Sequence, residues 1–136
     1  YRPYVKTARN FYALPLLQPY SEEWYAQSFP VFMNHYDYVA IEAMPFMEKA
    51  EDPQKWLAQL FRKTAEHPQG LDKMLFELQA VDWEKQQDIP MPVFIEQFQL
   101  LKKLGAKHIG YYPDNQYHDQ PRLEQLKKFF PVEKKD

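Results

Sequence analysis

Hydrophobic and polar positions alternate most clearly in the stretch Lys73–Trp83, KMLFELQAVDW. Met74, Phe76 and Leu78 fall on one face of an extended chain, and Leu75, Glu77 and Gln79 on the other. Apolar residues on both faces at its start predict a strand covered on both sides, as in a parallel sheet wrapped by helices. The same period marks three more strands. Lys6–Leu14 sets Ala8, Asn10 and Tyr12 against Arg9, Phe11 and Ala13; Tyr36–Met44 and Lys107–Tyr112 are the others. The segments between them carry helical signals. Pro15 and Pro19 mark a loop, Ser21 is a candidate N-cap with Glu22 and Glu23 behind it, and Pro30 breaks that segment into two short pieces. Asp52-Pro53 is a cap followed by proline at the first helical position, and Trp56, Leu57, Leu60 and Phe61 supply the stripe of the helix it opens. Pro68 and Gly70 close that unit. A loop over Asp82–Pro92 leads to a helix from Val93 to Leu104, for which Gly105 is the left-handed cap. Pro121 opens a last helix, Arg122–Phe130, and residues 130–136 read as a charged, frayed tail.

These strands start near residues 6, 36, 72 and 107, at intervals of roughly 30 to 35 residues, the length of one βα unit in a (β/α)8 barrel of ~250 residues. The predicted fold class is therefore α/β. Residues 1–136 form a single segment of four successive βα units, half of a TIM-like barrel and a fragment of a larger domain. Alone, such a half has two open sheet edges and a bare inner face. The expectation is a missing N-terminal half, or a self-partner that replaces it. The start at Tyr1 rather than Met fits a piece of a longer protein. A small open α/β sheet is the alternative that periodicity leaves standing.

Composition narrows the function classes. Ten Tyr, ten Phe and three Trp make the chain 17% aromatic, more than a core of this size needs, which points to rings in a groove. Seventeen basic and nineteen acidic residues give a net charge of −2 with no basic stripe, which argues against nucleic acid as a partner. The absence of cysteine removes thiol nucleophiles, disulfides and Cys-type zinc sites. No apolar run approaches the ~20 residues that span a bilayer. The glycines are Gly70, Gly105 and Gly110, none in a Gly-rich turn of the kind that cradles phosphate.

In parallel-sheet folds the carboxyl ends of the strands line the ligand site. Glu77, Gln79 and Trp83 are the first candidates on that rule. Glu77 reads as a carboxylate facing the groove, with a structural ion pair as the alternative; a general acid would need a second carboxylate across the scissile bond. Tyr112 shares a face with Asp114, which with Asn115 either orients a ligand or caps the next turn. Asn10 and Tyr12 are weaker candidates. Glu42 alternates with Ala40 and Met44, so it points inward, and it reads as a structural charge partnered by Arg9 or Lys73. Glu48 reads as a solvent-facing loop residue, Trp56 as core, and Met44 and Met47 as packing.

The runs KTARNFYALPLLQPYSEEW, YDYVAIEAMPFME, FELQAVDW and GYYPDN, in this order and spacing, resemble the poly-β-1,6-N-acetyl-D-glucosamine N-deacetylase family of bacterial biofilm export. The resemblance covers nearly the whole chain and is to the second half of the family's C-terminal, glycoside-hydrolase-like barrel domain. It implies a periplasmic, outer-membrane-associated parent protein. In that parent an N-terminal metal-dependent domain deacetylates the polymer, and the C-terminal barrel binds the product and in some members cleaves it. It further implies that Trp24 and Trp83 stack on sugar rings. The metal signatures of the deacetylase are not found here, where His35, His67, His108 and His118 stand apart. No cofactor is expected in this segment; the divalent metal belongs to the deacetylase domain. The loop that carries the family's proposed glycosidase acid lies in the earlier half-barrel.

The leading expectation is a hydrolase segment that grips partly deacetylated poly-β-1,6-glucosamine through Trp24, Glu77, Gln79, Trp83, Tyr112 and Asp114, inactive by itself. The alternative is a non-catalytic carbohydrate-binding module that guides polymer during export.

Overall fold

The computed structural model describes residues 4–130. In chain order the elements are β1 (Ala8–Phe11), α1 (Ala13–Leu17), a 3-10 turn at Pro19–Ser21, α2 (Glu22–Tyr25), α3 (Phe29–His35), β2 (Tyr38–Ala43), α4 (Pro53–Ala65), α5 (Gly70–Lys73), β3 (Met74–Gln79), β4 (Val81–Asp82), β5 (Gln87–Asp88), α6 (Met91–Leu104), β6 (His108–Tyr112) and α7 (Leu123–Leu126). Four strands form one parallel sheet in the order β1-β2-β3-β6. Sequential parallel neighbours joined by helices are the topology of consecutive barrel units.

The alternation in the sequence becomes the two faces of this sheet. Phe11, Val39, Ile41, Ala43, Met74, Phe76 and Leu78 are fully buried against the helices. The intervening positions, Asn10, Ala40, Glu42, Leu75, Glu77, Gly110 and Tyr112, are aligned by the strand register on the opposite, concave face. The two long helices cover the first face. Asp52 caps α4 by accepting from the Lys55 backbone N–H at 3.0 Å, with Pro53 at the first helical position, and Leu57, Leu60, Phe61 and Thr64 turn inward. Helix α6 buries Phe94, Gln97, Phe98 and Leu101, and ends at Gly105 with φ 104°, whose N–H bonds the Leu101 and Lys102 carbonyls. That positive φ is the conformation for which glycine is the least costly residue.

Several expected boundaries move. The first strand ends at Phe11 rather than Leu14, because Pro15 falls in the first turn of α1, where a missing N–H costs no intrahelical bond. The second contracts to Tyr38–Ala43. The third stops at Gln79, and Val81–Asp82 instead pairs antiparallel with Gln87–Asp88, so the expected loop is a small hairpin. A one-turn helix at Gly70–Lys73, which periodicity did not suggest, leads directly into β3. The last helix is reduced to Leu123–Leu126, since Phe129 and Phe130 pack on Phe98 at centroid distances of 5.0 and 5.2 Å instead of continuing the spiral. Pro30 does divide its segment, as the second residue of α3, with Ala26 in the left-handed conformation before it. The tail expected to fray lies outside the described residues from residue 131 onward.

Candidate functional site

The carboxyl ends of the strands open onto a cleft of about 410 Å³ on the concave face. Its floor is Asn10 of β1, Glu42 of β2 and Glu77 of β3; its walls are Tyr12, Met44, Met47, Trp83 and Tyr112. Strand register explains the floor. Glu42 and Glu77 are direct partners on adjacent parallel strands, so their side chains leave the sheet side by side, while Gly110 occupies the next position on β6 and contributes no side chain. The Asn10 side-chain amide donates to Glu77 Oε2 at 3.4 Å.

The hairpin builds one wall. Asp82 is 8% exposed; it accepts from the Lys85 backbone N–H at 3.2 Å and pairs with its ammonium at 3.1 Å. Those contacts, the backbone hydrogen bond first, hold its carboxyl below the usual range. With the turn fixed in this way, the next residue, Trp83, presents its ring over the cleft 6.4 Å from Tyr112 at 35° between planes, and the two rings remain 41% and 55% exposed. Two partly exposed aromatic faces beside acidic groups form a surface on which an apolar C–H face can stack while its polar edge meets carboxylates.

The electrostatics of the floor are unusual. Burial, then the neighbouring Glu77 and Glu48 charges, push the Glu42 carboxyl from 4.5 up to about 7. Burial also raises Glu48 and Glu77. Tyr25, packed on Tyr12 at 4.8 Å, is raised by burial and then by the Glu48 charge. Among the described residues no group of three His, Asp or Glu side chains converges as a metal site.

The residues singled out in the sequence divide. Glu77, Trp83 and Tyr112 line the cleft, as do the weaker candidates Asn10 and Tyr12. Gln79 does not: it is 1% exposed, its Oε1 accepts from the Met47 backbone N–H at 3.0 Å and its Nε2 donates to the Val81 carbonyl at 2.7 Å. It braces the loop that carries Met47 against the short strand that leads into Trp83. Trp24 is 72% exposed on α2, edge-on to Tyr20 at 5.6 Å, and borders neither the cleft nor the core. Asp114 is exposed and lies against the Tyr111 hydroxyl, whose ring packs on Phe94 of α6, so it belongs to the helical side rather than to the face of Tyr112.

Glu42 is the main correction in the other direction. Lys73 directs its ammonium to the Met33 carbonyl, and no salt bridge reaches Glu42 among the described residues, so the expected structural pairing is not made. Glu48 is half-buried rather than solvent-facing. Met44 and Met47 belong to the walls. The signal for Glu42 was in the sequence: its alternation with Ala40 and Met44 places it on the same face as Glu77.

A family model described as hypothetical glycosyl hydrolase family 13 matches residues 1–112. The chain belongs to that family. It is 41% identical over 133 residues to the poly-β-1,6-N-acetyl-D-glucosamine N-deacetylases of Escherichia coli strain K12 and of Escherichia coli O157:H7, an alignment that spans 94% of this chain but 20% of each relative. Among solved structures it is similar to the PgaB (BpsB) glycoside hydrolase domain from Bordetella bronchiseptica, with a TM-score of 0.83 and 46% identity, covering 88% of this chain and 33% of that one. The four βα units are thus a fragment of a larger barrel-like domain. The chain spans about a fifth of the length of the curated relatives it matches.

Proposed function

We propose that this chain supplies one wall and the floor of a groove that binds partly deacetylated poly-β-1,6-glucosamine, within a hydrolase of exopolysaccharide processing. The observation that carries the reading is the cleft itself. Exposed Trp83 and Tyr112 rings flank the adjacent carboxylates Glu42 and Glu77 at the carboxyl end of a parallel sheet. Rings accept the C–H faces of pyranose units, and carboxylates accept hydrogen bonds from their hydroxyls and from free ammonium groups. The 41% identity to poly-β-1,6-N-acetyl-D-glucosamine N-deacetylases supports this polymer over other polysaccharides. A periplasmic, outer-membrane-associated parent protein, with the rest of the barrel completing the groove, belongs to the same proposal.

Binding without cleavage is the second reading for this chain, and one observation favours it. Glu42 and Glu77 stand side by side on adjacent strands of one floor. Glycoside hydrolysis needs carboxyl groups that flank the scissile bond. In the proposed whole protein the opposing carboxylate comes from the remainder of the domain.

Titration of β-1,6-glucosamine oligomers into the chain tests the reading. Saturable binding of partly deacetylated oligomers, weaker for fully acetylated ones, is the expected result. Equal, non-saturable signals for both, or binding unaffected by blocking the cleft with Gly110→Trp, would overturn it.

A further inference from the structure

Resting on the sugar reading above, we infer that Glu42 and Glu77 share one proton, which an ammonium group displaces. Glu42 is thereby the residue that selects a free glucosamine unit over its acetamido counterpart. The two residues are register partners on β2 and β3, and neighbouring strands lie ~4.8 Å apart, so the carboxyls leave the same face at close quarters. Gly110 places no side chain beside Glu77, and a Cβ there would already touch the Leu75 side chain at 3.5 Å.

No cation forms an ion pair with either carboxyl among the described residues. From the loop after β2 comes Glu48, from the β1 side Tyr12 and Tyr25, and Asn10 donates one weak hydrogen bond to Glu77. Arg9 borders a shallow crevice with Glu42 on the edge strand but forms no ion pair with it. Lys49 is paired with Glu84 at 3.2 Å, and Lys73 bonds a backbone carbonyl. Two half-buried carboxylates so placed do not both ionise readily; they titrate as a pair, and one holds a proton near neutrality. The value of about 7 for Glu42 agrees with that arrangement.

An ammonium entering between the walls stabilises both ionised carboxylates, and the proton passes to solvent. Charge balances: the singly charged, protonated pair and the ammonium become the doubly charged pair with the ammonium bound, plus one released proton. An acetamido group carries no charge, so it leaves the proton where it was. The discrimination is electrostatic and therefore depends on pH.

The experiment is calorimetric titration of a β-1,6-glucosamine tetramer, and of its fully acetylated form, into the 136-residue chain between pH 5 and 7.5. Two buffers of different ionisation enthalpy are used, for the wild type and for Glu42→Gln. Carbon-detected titration of the Glu side-chain carboxyls is run on the free chain. Expected are release of close to one proton at pH 6 and an affinity for the amine form that rises by up to about tenfold per pH unit toward 7. The acetylated form should be flat, and the slope and proton release should be lost in Glu42→Gln at unchanged folding. Binding of the amine form without proton release, or the same slope in Glu42→Gln, would overturn the inference while leaving the sugar reading intact. Failure of both oligomers to bind the wild type at every pH, with the Glu42 carboxyl titrating near 7, would instead overturn the sugar reading and the selectivity derived from it.

Discussion

Trp83 carries the greatest share of the proposed recognition because it is held from behind and bare in front. Asp82 and Lys85 lock its turn, while its ring faces solvent beside Tyr112. Trp24 is more exposed, but it packs edge-on to Tyr20 and lines no part of the cleft. Trp83→Ala should therefore weaken oligomer binding at least about tenfold, ~1.4 kcal/mol, and Trp24→Ala by less than about twofold, as read by fluorescence titration. Glu42 also writes itself into stability. Its carboxyl is raised from 4.5 to about 7 in the folded chain, so the folded state binds more protons between those values. Its contribution is fullest below pH 4.5 and is lost as pH rises through 7, a change of about 1–2 kcal/mol after allowance for solvent screening. Asp37, Asp52, Asp72 and Asp82 are shifted down from 3.8 and change charge below this window. Urea denaturation at pH 5 and pH 8 should show wild type losing stability across the interval and Glu42→Gln losing clearly less. Alternation in the sequence did place Glu77 and Glu42 on one face. It did not say that Lys73 would be spent on a carbonyl, or that Gln79 would fold back onto its own backbone neighbours, because both depend on contacts made by loops.

At the scale of elements, the helices with strong local signals stand where those signals put them. Asp52-Pro53 opens α4 and Gly105 closes α6, since caps and φ preferences act within one turn and need no tertiary partner. The short pieces were less legible. The hairpin of β4 and β5 is two residues a side, too brief for a period to register, and α7 loses residues to packing of Phe129 on Phe98. Gly70 was read as punctuation, and the structure adds a steric reason. A Cβ at this position would stand 1.9 Å from the Thr64 carbonyl oxygen, a backbone atom at the end of α4. Gly70→Ala should therefore destabilise by about 1–3 kcal/mol, visible as a lowered thermal midpoint, because the α4–α5 connection must open to admit a methyl group.

Over the whole molecule, the four parallel strands bury one face along the central strands β2 and β3 and leave the other concave and partly open, with β1 and β6 each paired on one side among the described residues. The interval of roughly 30 to 35 residues between strands made this topology readable, because a right-handed βα unit has few other ways to repeat. What repetition does not encode is how much more of the domain there is; the match covers 33% of a solved glycoside hydrolase domain. The arrangement predicts that the chain by itself grips polymer without shortening it, since its two groove carboxylates share one floor. Mass spectrometry of partly deacetylated oligomers after prolonged incubation should show unchanged lengths, and cleavage by this chain alone would count against that division of labour.

The crystal structure of the chain with a glucosamine oligomer tests the groove most directly. The expected complex has a sugar ring stacked on Trp83 beside Tyr112, with its amine within hydrogen-bond distance of Glu42 and Glu77. A sugar seated instead on Trp24, or in the outer crevice of about 420 Å³ between Phe46, Ile89 and Gln97, would contradict it.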